Sequence, residues 1–99
     1  MTASNELRLL PWSGPEGKPC YLSTDERGGY MSRLADNVEA VQLGTAEELL
    51  EQACETLNDQ DVPLDEMRRL AKGLSGALLD VLRVANSRGH RLAASALKL

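Results

Sequence analysis

Between Leu34 and Arg88 the apolar residues recur at helical spacing, in two segments of similar length turned back at Asn58-Asp59-Gln60-Asp61-Val62-Pro63. The second segment carries the stronger pattern. Met67, Leu70, Ala71, Leu74, Ala77, Leu78, Val81, Leu82 and Ala85 form one stripe spanning roughly 160° of a helical wheel. Pro63 opens this segment, Asp65 and Glu66 complement the positive end of the helix dipole, and Gly89 is placed to stop it. The first segment divides in two. Leu34, Val38 and Val41 share one face, whereas Ala46, Leu49, Leu50, Ala53 and Leu57 share another, rotated by about 120°. The phase changes at Gly44-Thr45. Either Gly44 ends one helix and Thr45 caps the next with Glu48, or one continuous or kinked helix carries a stripe that wraps. The matched lengths of the two arms favour continuity.

Upstream the pattern is shorter and alternating. Leu7-Arg8-Leu9-Leu10 is an apolar run closed by Pro11, because a residue before proline is pushed out of the α region. Ser13-Gly14-Pro15-Glu16-Gly17 is a turn by composition, and Thr24 to Gly29 is a second. Tyr21/Leu22 and Tyr30/Met31 read as the two strands of a hairpin, with Leu7–Leu10 a candidate third strand and Trp12 the anchor. Two strands alone do not hold in water, so the hairpin must lie on the helices. The predicted fold is a single α+β domain, predominantly helical, over residues 1–99. It comprises a β-hairpin region at 7–32, helical arms at 33–58 and 63–88, and a tail at 89–99 that adds a turn or frays.

Composition sharpens this picture. Three residues are aromatic (Trp12, Tyr21, Tyr30) and Phe is absent, so the core must be built from Leu, Val and Ala, which suits helix packing. The net charge of -4 conceals an asymmetry: ten acidic and no basic residues from Asp36 to Glu66, then seven basic residues against Asp80 alone. Folding the arms antiparallel sets Glu55 by Arg68, Glu51 by Lys72 and Glu39 by Arg83, as solvated pairs that select the register. It also sets Gly44 by Gly76 and Ala77, with Gly73 one turn away, where small residues would let the axes approach closely. The stripe of the second arm is wider than one neighbouring helix and a small hairpin can cover. A second copy completes it most economically, as a four-helix arrangement with two-fold symmetry. Leu70, Leu74, Ala77, Leu78, Val81 and Leu82 are the expected interface.

Candidate chemistry is sparse. Cys20, His90 and Asp25 could be assembled into a nucleophile, base and orienter, but so could any Cys and His in a chain. One His and two distant Cys do not make a metal site, and no cofactor is expected. The pairs Glu47/Glu48 and Asp65/Glu66 fit capping or solvation, and Gly73–Gly76 lies within a predicted helix without the strand a phosphate loop needs. Two Cys without a secretory signal, and no apolar run long enough to span a bilayer, point to a cytoplasmic protein. The acidic balance argues against a nucleic-acid binder and no membrane partner is expected. Arg83, Arg88 and Arg91 remain candidates for contact with phosphate or an acidic partner, and Trp12, Tyr21 and Tyr30 for docking a protein partner.

The run Leu10-Pro11-Trp12-Ser13-Gly14-Pro15-Glu16-Gly17-Lys18-Pro19-Cys20-Tyr21-Leu22, followed by Ser32-Arg33-Leu34-Ala35-Asp36, resembles a group of small, acidic, uncharacterised actinobacterial proteins. The resemblance covers most of residues 10–91 and brings no catalytic residues with it. Some proteins of this style accompany transcriptional regulators, which implies an accessory role. The expectation from the sequence is a non-catalytic, homodimeric protein–protein interaction module, regulatory or accessory. The alternatives are a dimeric DNA-associated regulator using the basic C-terminal end, or a small-molecule sensor.

Overall fold

In the computed structural model, residues 7–23 and 29–97 are described, with side chains up to residue 90. Two strands precede two long helices: β1 (Leu7–Ser13), β2 (Pro19–Ser23), α1 (Tyr30–Leu57) and α2 (Leu64–Leu97). The hairpin therefore joins different segments from those expected. β1 pairs antiparallel with β2, with Leu9 opposite Tyr21 and Ser13 opposite Pro19. Tyr30-Met31-Ser32, expected as a strand, is the first turn of α1. Pro11 does not close β1 either. It falls in the irregular stretch between Leu9 and Ser13, where β1 spends more residues than β2 and proline's missing N–H is tolerated. The tight link is Ser13 to Lys18, the composition-marked turn. Gly14 N–H donates to Lys18 O at 2.7 Å, and Glu16 and Gly17 adopt positive φ of 60° and 74°.

α1 runs unbroken through Gly44-Thr45 for 28 residues. Its inward positions explain why the apolar pattern changes phase and the helix does not. Ala35, Glu39, Gln42, Ala46, Leu49 and Ala53 are buried or half-buried at alternating steps of four and three, the rhythm of a helix seam. Val41, Leu50 and Leu57 are exposed. Two polar residues, Glu39 and Gln42, hold seam positions that an apolar reading leaves blank. After Asn58, Asp59 Oδ1 accepts the Asp61 N–H at 3.0 Å in a tight turn. Pro63 O then accepts the first amides of α2, from Glu66 and Met67. Gly89 does not stop α2, which continues to Leu97 and makes 34 residues. A glycine supports termination only where the chain turns left-handed, and here it sits in mid-helix.

The helices pack antiparallel, and the place Gly73 offers for a Cβ lies 3.5 Å from Leu49 Cδ2. That contact brings Ala53 to about the level of Leu70, and Ala46 to that of Ala77. The close approach expected at Gly44 and Gly76 is absent: nothing lies within 4 Å of a Cβ built on either. Nor do the charges pair as expected. Glu39 meets Arg8 and Arg88 rather than Arg83, and neither Glu55–Arg68 nor Glu51–Lys72 is among the ion pairs of the described residues.

The result is a rod of 61 × 31 × 19 Å with a radius of gyration of 17.3 Å, against about 13 Å for a compact chain of this length. Among the described residues the buried apolar core amounts to Leu10, Ala35, Ala53 and Val84, with Pro11 beside them. The chain exposes 7326 Å2, where a compact monomer of 10.8 kDa would expose about 5,500 Å2. Among the described residues no helix is long and apolar enough to cross a membrane.

Candidate interaction surface

The hairpin is seated by polar contacts. Arg8, only 5% exposed, reaches from β1 into the start of α1. Its Nη1 donates to Ser32 O and Oγ at 3.1 and 2.9 Å, and its Nη2 to Asp36 Oδ1 at 2.6 Å. The same Nη2 stands 3.4 Å from Glu39 Oε2, while Arg88 Nη2 approaches Glu39 Oε1 at 3.6 Å from α2. Glu39 is 1% exposed. A carboxylate so buried needs compensation, and two guanidiniums from two different elements supply it. β1 also lends its carbonyls to the helices. Pro11 O accepts from Gln42 Nε2 at 2.7 Å and Arg83 Nη1 at 3.3 Å, and Leu9 O accepts from Ser87 Oγ at 3.0 Å. The edge of β1 is thus bonded to both helices, and the hairpin stands on that edge.

This seating creates a trough. The sheet face carrying Leu9, Pro19 and Tyr21 forms one wall, and Leu79, Leu82 and Asn86 of α2 form the other, around an open volume of about 320 Å3. The trough continues onto the outer face of α2, where Leu78, Leu79 and Leu82 are 59%, 59% and 51% exposed. Ala71, Ser75, Leu78, Leu82, Ala85 and Gly89, all exposed, follow one another at steps of four and three. They make a second seam line, parallel to the one facing α1. It contains no charge, and its hydroxyl is satisfied within the helix: Ser75 Oγ donates to Ala71 O at 2.8 Å.

The expected interface residues divide between the two lines. Leu70, Leu74, Ala77 and Val81 are half-buried on the side of α2 that meets α1, whereas Leu78 and Leu82 lie on the outer face. Of the expected docking aromatics, Trp12 is half-buried in β1 and belongs to no loop, while Tyr21 and Tyr30 are exposed and Tyr21 lines the trough. Arg83 is engaged with Pro11 O and with Asp80 at 3.4 Å, and Arg88 with Glu39. The side chain of Arg91 lies outside the described residues, as does Asp25. Cys20 is half-buried in β2 and His90 is exposed at the far end of α2. Among the described residues no three His, Cys, Asp or Glu side chains group as metal ligands would.

The Arg8–Glu39–Arg88 cluster has no mark in the hydrophobic pattern of the sequence. Its one signal was Glu39 at a helical interval from Ala35 and Ala46, where a surface carboxylate breaks no rule. The second seam line was legible as part of the wide stripe, although its separation from the first required burial to be known. No family model, curated protein or solved structure matches the chain.

Proposed function

We propose that the chain is a non-catalytic protein–protein interaction module, a regulatory or accessory protein that works as a homodimer. What supports this reading is the outer face of α2. Leu78, Leu79 and Leu82 are each more than half exposed on a rod whose own buried apolar core is four side chains among the described residues. Apolar surface left wet costs about 25 cal/mol per Å2, so such a face favours association. The hairpin supports the reading in a second way. It is fastened to both helices by part-buried polar contacts, and so holds Tyr21 beside Leu79 and Leu82.

Sedimentation equilibrium tests the proposal. Wild type should behave as twice the 10.8 kDa chain mass at micromolar concentration. Leu78→Lys combined with Leu82→Lys should sediment as a single chain with an unchanged helical circular dichroism spectrum, because neither side chain is buried within its own subunit. A wild type that stays a single chain at several hundred micromolar ends the proposal.

A further inference from the structure

We infer that two copies join through an antiparallel α2–α2 contact, with the two-fold axis at the level of residue 80. The inference rests on the homodimeric reading and specifies its geometry. A parallel pair sets every residue against itself and demands nothing of the sequence. An antiparallel pair demands that the pattern read the same in both directions, and the outer seam line does so. Ala71 and Gly89, Ser75 and Ala85, and Leu78 and Leu82 are each centred on residue 80. Small residues meet small ones at the outer four levels, and leucine meets leucine on either side of the axis. Leu79, next to the line, falls near its own copy and completes a cluster of six leucines.

Charge selects the same orientation. Arg68 lies on the continuation of this line, one step before Ala71. Parallel pairing would oppose it to Arg68 of the second copy, and would align the two helix dipoles. Antiparallel pairing separates the two guanidinium-bearing positions by about 36 Å along the axis and opposes the dipoles. The trough gains an occupant in this arrangement. The second helix passes along Leu78 and Leu82, so its middle turns lie beside the wall formed by Leu9 and Tyr21. A specific pair needs about 1,000 Å2 or more of buried surface, and the wall formed by Leu9 and Tyr21 extends the helix contact toward it.

Cross-linking decides the orientation. In a Cys20→Ser, Cys54→Ser background, Ser75→Cys and Ala85→Cys are introduced singly and together, then oxidised and run on non-reducing gels. Antiparallel pairing places position 75 opposite 85 of the other copy, at disulfide distance, and about 15 Å from its own counterpart. Only the double variant should form a covalent dimer, and the same variant cannot close a bridge within one helix over that span. Either single variant cross-linking efficiently would mean a parallel pair. No cross-linking by any variant that still sediments as a dimer would move the contact to another face. Both results overturn this inference and leave the homodimer standing, whereas single-chain sedimentation of the cysteine-free background removes both.

Discussion

Glu39 occupies a position in the α1 seam that a helix pair ordinarily gives to an apolar side chain, and it holds that position because Arg8 and Arg88 converge on it. Removing Arg8 leaves the buried Glu39 with the exposed Arg88 at 3.6 Å, whereas removing Glu39 leaves Arg8 still bonded to Asp36 and Ser32; removing both members of a pair costs less than the two separate losses. Arg8→Ala should lower the urea-derived unfolding free energy by about 3 kcal/mol, and Glu39→Ala by less, because Arg8 keeps its ion pair with Asp36. Arg8→Ala combined with Glu39→Ala should lose less than the sum of the singles; strict additivity would mean that the two side chains do not depend on each other. This cluster was illegible in the sequence for a physical reason. Helical periodicity reports which residues avoid water, and says nothing of an acceptor on one helix served by a donor 31 positions away in a strand. Gln42 was missed on the same ground: its amide is fixed by the carbonyl of Pro11, a demand with no period.

The elements themselves were more legible than their contacts. Continuity of α1 could be inferred from the matched arms, and α2 from its stripe. Gly44, Gly76 and Gly89 misled, because glycine is read as a helix breaker or a packing device. All three stand in helix with open space where a Cβ would be. Interior glycine costs a helix about 0.5–1 kcal/mol relative to alanine. Gly44→Ala and Gly76→Ala should therefore each raise stability by that amount, a rise of a few degrees in Tm by calorimetry. A fall would mean that the helix axes do approach at those levels. Gly73→Ala should also be tolerated, since its added methyl would meet Leu49 at ordinary contact distance. Pro11 is what displaces the expected hairpin, because proline ends a helix reliably but ends a strand only where its N–H is needed. In β1 it sits within a bulge, buried, with its carbonyl turned to the helices.

At the scale of the whole molecule, the rod shape carries the argument about partners. A chain that exposes about a third more surface than a compact monomer of its mass has an incentive to associate, and association ties folding to concentration. If the native state is a dimer and the unfolded chain is not, each tenfold rise in protein concentration adds about 1.4 kcal/mol to the apparent stability per mole of dimer. The Tm of wild type should climb steadily between low micromolar and near-millimolar samples. In the Leu78→Lys, Leu82→Lys chain the same series should be flat, because nothing then links unfolding to dissociation. The two series separate the contributions that a single melt merges. The low-concentration limit reports what the Arg8–Glu39–Arg88 cluster and the α1–α2 seam hold by themselves, and the slope reports what the outer leucines add. A wild-type series as flat as the variant's would mean that the exposed line on α2 recruits no second copy, and that the narrow core closed by Leu10, Ala35, Ala53 and Val84 suffices for the rod alone.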